Sequence, residues 1–358
     1  MRNIIVLLIG LFLLVTPANA ENDADPIERV LLNTVSKFIR PGYENFRNSV
    51  LRLNSSLEKL CAYPNQPALE RAQSAFQSAV ASWSEVELIR FGPVNELNRF
   101  ERILFYPDRK STGLKQVQRI LANQNESARK VSTLQSKSVA VQGLGALEFI
   151  LFGTGYETLK DGNGFRCEYG QAVSQNLVNL SNELVTGWED GGSAYSIWSS
   201  PGPDNPIIRT SKEAVNLVLG TLVHGLESIR DLRLGSFLKG EPKKDRPRVA
   251  IFRRSEITMR VLVSNIGAVK KLLVQSGAID LLDNEDRYIV DNVVFELNQA
   301  ERVASEIGDP IAKALESPGE REKLLYLKTS LTSAIVMLDQ DFAKSAGLSS
   351  GFSFSDGD

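Results

Sequence analysis

The sequence predicts an all-α fold of two helical-bundle halves that pack together. Almost every segment after Asp25 places apolar residues at the spacing of one helix face, and clean alternation of apolar and polar residues is lacking. Prolines and glycines separate these segments, most densely over residues 190–208. We therefore expect a first half over residues 21–189, a linker or long functional loop over 190–208, and a second half over 209–358.

The first twenty residues have the pattern of a cleavable signal peptide. Arg2 supplies a short positive region, Ile4–Val15 is apolar, and Ala18-Asn19-Ala20 has the small-x-small pattern of a cleavage site. Cleavage after Ala20 would release a periplasmic protein. No later stretch reaches the roughly 18 consecutive apolar residues that a membrane span requires, so we expect none.

The first half begins with an expected helix that starts at Asp25-Pro26, an N-cap followed by proline at the first helical position. Pro41-Gly42 is expected to end this helix, because proline has no N–H to donate to the preceding turn. Further helices are expected over residues 43–60, 67–91, 94–104, 114–134 and 168–188.

The second half is expected to begin with a helix that Ser211 caps and that continues through Val215–Leu234. Ser255 is expected to cap the following helix, which ends near Ser276. Three more helices are expected over residues 285–307, after Asp309-Pro310, and over residues 320–346.

The charge pattern argues against a nucleic-acid partner. The 358 residues include 41 Lys and Arg against 43 Asp and Glu, which gives a net charge of −2. No basic stripe is interleaved with aromatic residues. The segment Lys239–Arg254 is the only local basic excess, and its prolines and glycine indicate a solvated connection rather than a binding surface.

Cys61 and Cys167 are the only cysteines, so only one intramolecular pairing exists. In an exported protein an even number of cysteines indicates a disulfide. This disulfide would close a loop of about a hundred residues and would contribute roughly 4 kcal/mol in the chain-entropy model.

The stretch Ser138–Tyr156 is too apolar for a surface helix, and Glu148 is its only charged residue. We expect a buried helix in which Gly143 and Gly145 let a neighbouring element approach closely. A buried carboxylate needs a partner, because an isolated buried charge costs several kcal/mol or takes up a proton. Glu148 is therefore either a salt-bridged core residue or a site residue. One of four arginines in apolar company is expected to pair with it: Arg90, Arg102, Arg253 or Arg254.

His224 is the only histidine of the chain, and Glu227 follows it three residues later. On a helix this spacing places both side chains on one face, where they can present two metal ligands. Two ligands leave the coordination of a metal ion incomplete, so the pair is either part of a metal site or a structural interface pair. No Ser-His-Asp pattern, His-Glu-x-x-His motif or phosphate-binding loop occurs.

Several collinear segments resemble those of imelysin-like proteins. They are ASWSEVELIRFGP (81–93), FYPDRK (105–110), GLGALEFILFG (143–153), RRSEIT (253–258) and the closing GFSFSDGD (351–358). The resemblance spans the mature chain and implies an exported protein of two helical-bundle halves with a site in the cleft between them. The family was first described as metallopeptidases, many members are iron-regulated or metal-associated envelope proteins, and a related type binds alginate.

The sequence departs from the family motif Gly-x-His-x-x-Glu, because it has Gly145 between Gly143 and Glu148 where the motif has histidine. Imidazole is a strong ligand of transition metals and glycine offers no replacement. The resemblance therefore implies a periplasmic binding or accessory protein, linked to iron or other metal uptake and without peptidase activity. Its partners would be a small ligand or a metal ion such as iron or zinc, and other envelope proteins. The alternatives are a metal-dependent peptidase that uses Glu148 with His224 and Glu227, and a non-catalytic interaction module.

Overall fold

The structure is a computed structural model that describes residues 25–162 and 164–351, so the predicted signal peptide and residues 352–358 lie outside it. Across these ranges no helix combines the length and apolar character needed to cross a membrane. The α-helices are α1 Pro26–Asn33, α2 Arg40–Ala62, α3 Gln66–Ser84, α4 Arg99–Ile103, α5 Thr112–Ala122, α6 Val131–Leu134, α7 Leu144–Phe152, α8 Gly164–Trp188, α9 Ser193–Trp198, α10 Ser211–Glu227, α11 Gly235–Phe237, α12 Thr258–Ser276, α13 Tyr288–Ser305, α14 Ile311–Glu316, α15 Pro318–Val336 and α16 Ala343–Ser345.

The predicted all-α class is confirmed, since the described ranges contain helices and turns and no strand. In one group of helices α2 packs against α3 and α8, around fully buried rings such as Tyr43, Phe46 and Trp83. In a second group α13 packs against α12 and α15. Contacts of α3 and α1 with α12 join the two groups. The division of the chain at residues 190–208 stays a prediction.

The first helix does not end at Pro41-Gly42, so that prediction is wrong. Residues Thr34–Ile39 are π-helical, and the chain continues without interruption into α2. The N–H of Arg40 donates to the carbonyl of Val35, five residues back, as in a π-turn. Pro41 then lies in the first turn of α2, a position that does not require its missing N–H.

Residues 190–208 contain the short helix α9, although their sequence shows no periodicity. The ring of Trp198 is buried and stacks on Phe91, with ring centroids 5.0 Å apart. Its indole N–H donates to the carbonyl of Leu31 at 3.0 Å. These contacts hold residues 190–208 against α1 and against the chain that follows α3.

The predicted disulfide between Cys61 and Cys167 is confirmed. It joins the end of α2 to the start of α8, with the two Cα atoms 5.6 Å apart. The bond therefore links two helices that also pack along their length.

Candidate functional site

A cavity of about 680 Å³ lies between the turn after α3, the loop after α4, and helices α10 and α12. This volume is in the range of sites that hold small organic molecules. Most of the exposed lining surface is apolar, although charged and polar residues outnumber apolar ones along it. Its lining side chains include Glu87, Leu88, Arg90, Glu101, Arg109, Leu217, His224, Glu227, Ser228, Asp231, Arg233, Asn265 and Val269.

A buried ionic network forms one wall of the cavity. Nη2 of Arg233 donates to both carboxylate oxygens of Glu87, at 2.8 and 2.7 Å, and both side chains are about 95% buried. The amide of Asn265 donates to Glu87 at 2.8 Å and to the carbonyl of Ser84 at 2.7 Å. The network therefore joins the turn after α3 to the π-helical segment Ser228–Leu234 and to α12.

Glu87 and Arg233 were not among the site residues predicted from the sequence, although their sequence neighbours carry a signal. Glu87 lies between Val86 and Leu88, and Arg233 lies between Leu232 and Leu234. Charged residues in apolar company are the pattern that identified Glu148. The expected helix over residues 67–91 was also too long. Helix α3 ends at Ser84, and the turn that follows it carries Glu87 to the cavity.

Arg90 lies at the cavity with its guanidinium over the ring of Phe100, 3.3 Å from the ring centroid. None of its N–H groups donates a hydrogen bond to another residue within 25–162 and 164–351. Burial lowers the pKa of Arg90 to about 10, against the opposing charge of Glu87. The side chain therefore still carries a full positive charge at neutral pH.

The predicted pair on α10 is close in space, with Nδ1 of His224 2.9 Å from a carboxylate oxygen of Glu227. Nε2 of His224 lies 3.2 Å from the carbonyl oxygen of Ser350. That carbonyl also approaches Gly220 so closely that a Cβ there would lie 2.6 Å from it. Gly220 thus permits residues 350–351 to form part of the cavity wall.

Glu148 lies on α7 and is not among the residues that line the cavity. One of its oxygens accepts hydrogen bonds from the backbone N–H of Arg254 at 2.9 Å and of Ser255 at 3.2 Å, and from the Ser255 hydroxyl at 3.3 Å. Its other oxygen is 3.8 Å from Nη1 of Arg254. Ser255 therefore binds Glu148 instead of capping a helix, and α12 begins only at Thr258.

Of the four candidate arginines, Arg254 is the one that pairs with Glu148. Arg102 donates to Gln142 at 3.0 Å and to Asn176 at 3.2 Å, and Arg253 donates to the carbonyl of Arg248 at 2.9 Å. Sequence alone could not choose among them, because the pairing depends on where the loop before α12 returns to α7.

The two motif glycines have different surroundings. A Cβ on Gly143 would lie 2.2 Å from the carbonyl oxygen of Ile103 and 2.4 Å from that of Arg102. The backbone after α4 therefore approaches Gly143 closely, as expected. Gly145 is exposed, and a Cβ there would meet no atom within 4 Å. The expectation of close packing at Gly145 is wrong, because this side of α7 faces open space.

We expect alanine to have opposite effects at these two glycines. Gly143→Ala should lower the free energy of unfolding by about 2–3 kcal/mol, because backbone atoms would have to move. Gly145→Ala should raise it by up to about 1 kcal/mol, through the better helix propensity of alanine. Urea denaturation of both variants measures the effects; equal destabilisation by both would contradict this geometry.

The burial of Glu148 should produce a pH dependence of stability. Burial raises the pKa of Glu148 above its ordinary value of 4.5, and the charge of Arg254 and the donated hydrogen bonds only partly oppose it. A carboxyl with a raised pKa binds protons more readily in the folded state. Wild type should therefore gain stability relative to Glu148→Gln as the pH falls from 7 through the folded pKa, and the gain should level off below 4.5. Unfolding free energies of both proteins across this range test the sign, and a constant difference would contradict it.

The side chains present do not fit a metal centre. Among residues 25–162 and 164–351, no three His, Cys, Asp or Glu side chains are grouped so that they could hold a metal ion. His224 and Glu227 bond to each other, and Glu148 is held by Arg254 and Ser255 away from the cavity.

The structure is an all-α protein with a cavity of about 680 Å³ where the turn after α3 meets α10 and α12. The chain belongs to the imelysin family, since the Imelysin family model (Peptidase_M75) matches residues 39–338. The resemblance seen in the sequence is thereby confirmed. No curated protein matches the sequence.

Two solved structures share the fold. An imelysin-like protein from Psychrobacter arcticum 273-4 is 16% identical with a TM-score of 0.74, over 92% of this chain and 99% of that chain. A candidate iron-regulated protein A precursor from Parabacteroides distasonis ATCC 8503 is also 16% identical, with a TM-score of 0.71, over 91% of this chain and 97% of that chain. At 16% identity these two structural similarities show the fold alone.

Proposed function

We propose that this imelysin-family protein is an exported, periplasmic binding or accessory protein that acts in the uptake of iron or another metal and is not a peptidase. The cavity lined by Arg90 and the Glu87–Arg233 pair is its binding site. The observation that carries the proposal is this cavity, because its volume and mixed lining suit a small organic ligand. The signal-peptide pattern supports export, and the iron-regulated description of one structural neighbour supports the link to iron.

The peptidase alternative needs a bound metal to activate water. It would have to bring Glu148 together with His224 and Glu227, yet Glu148 does not line the cavity that holds the other two. The described side chains thus favour binding over hydrolysis.

Uptake of radioactive iron by cells of the source organism tests the proposal. Cells that lack the protein should take up iron more slowly under iron limitation, and the wild-type chain should restore uptake. Ser228→Trp, which places a bulky ring in the cavity, should not restore it, whereas Arg253→Gln, which lies outside the cavity, should. Equal uptake with and without the protein would overturn the proposed function.

A further inference from the structure

The cavity contains several charged groups, and most of them already have a partner. Arg233 binds Glu87, His224 binds Glu227, and Arg230 donates two hydrogen bonds to Asp231 at 2.8 and 2.7 Å. Glu101 and Arg109 are exposed to solvent, where charges are screened, and Glu101 still favours the charged form of Arg90. Arg90 remains as a lining cation that donates no hydrogen bond within the described part of the chain.

Arg90 is held in a defined orientation. Its guanidinium stacks on Phe100, and its backbone carbonyl accepts a hydrogen bond from the side chain of Asn95. A planar guanidinium held in this way can offer two parallel N–H groups to a carboxylate, and the orientation reduces the entropy lost on binding.

The rest of the lining suits an apolar group. Leu88 and Val269 are buried residues of the core, and Leu217 lies on the adjacent face of α10. Gly220 and Gly225 are two positions of α10 that present no side chain to the cavity, beside lining side chains such as Leu217 and Thr221. A ligand that places its charge at Arg90 can therefore bury a hydrocarbon or aromatic body against these residues.

We propose that the cavity binds an organic carboxylate, with the carboxylate on Arg90 and an apolar body against the lining of Leu88, Leu217 and Val269. This inference rests on the proposed function, since it names the chemical class of the ligand at the same site. The two can fail separately: the ligand class is tested with purified protein, and the role in uptake is tested in cells.

Isothermal titration calorimetry with 4-phenylbutyrate tests the ligand class. Wild type should bind this acid more tightly than it binds 4-phenylbutyramide, which lacks the charge, or butyrate, which lacks the ring. Arg90→Gln should weaken binding of the acid by about ten- to a hundred-fold, the range for a lost hydrogen bond to a charged group. Arg253→Gln, an equal change of charge outside the cavity, should leave it within two-fold.

Circular dichroism and thermal melts establish that each variant is folded before titration. No binding of the acid by wild type, equal affinity for the amide, or an equal loss in Arg90→Gln and Arg253→Gln would overturn the proposal.

Discussion

Arg233→Leu is expected to lower the free energy of unfolding by about 3–5 kcal/mol, because it leaves the carboxylate of Glu87 buried without its counter-charge. Asn265 would still donate to Glu87, but one amide hydrogen bond does not replace a guanidinium that contacts both oxygens. The loss should not be confined to one helix, since the pair joins the turn after α3 to the segment Ser228–Leu234, which packs against α12 and α15. Urea denaturation followed by circular dichroism measures the loss.

The matched control is the double variant Glu87→Leu/Arg233→Leu, which removes both charges. Replacing a buried ion pair by apolar side chains of similar volume is often neutral or stabilising. The double variant should therefore be more stable than Arg233→Leu alone. If the two variants are equally destabilised, the loss comes from packing and the charge argument is wrong.

Removal of the disulfide is expected to have an effect of similar size. Cys61 and Cys167 are separated by 106 residues, and the chain-entropy model assigns about 4–5 kcal/mol to a crosslink that closes a loop of this length. Cys61→Ala/Cys167→Ala should lower the free energy of unfolding by about that amount. Denaturation of oxidised wild type beside the variant measures it.

A reductant provides the control for this second prediction. Dithiothreitol should shift the denaturation midpoint of wild type toward that of the double variant and should leave the variant unchanged. If complete reduction leaves the denaturation midpoint of wild type unchanged, the disulfide does not stabilise the protein by restricting the conformations of the unfolded chain.

Much of the fold could be predicted because helical periodicity is a local property of the sequence. The all-α class, the N-cap at Asp25 and the cysteine pairing follow from patterns of this kind. Several helix boundaries were wrong. The chain passes Pro41 through a π-turn, α3 ends at Ser84 instead of residue 91, and the expected helix over residues 114–134 is two helices, α5 and α6. A long-range contact decided one of them, since Ser255 donates to Glu148 instead of starting α12.

The site was less predictable, because it is assembled from residues far apart in sequence. Glu148 was predicted as a core or site residue because it is the only charge in an apolar helix, and its partner Arg254 was one of four candidate arginines. Glu87 and Arg233 are likewise charged residues between apolar neighbours, but their apolar runs are shorter and they lie 146 positions apart in the sequence. Nothing local shows that they meet, or that Arg90 lies beside them at a cavity while Glu148 lies elsewhere.

Native mass spectrometry of protein isolated from the periplasm tests the central claim, that the cavity is the binding site. Wild type should carry an organic molecule that Ser228→Trp lacks and that Arg253→Gln retains. If wild type and Ser228→Trp carry the same molecule in the same amount, the ligand binds elsewhere and the account is contradicted.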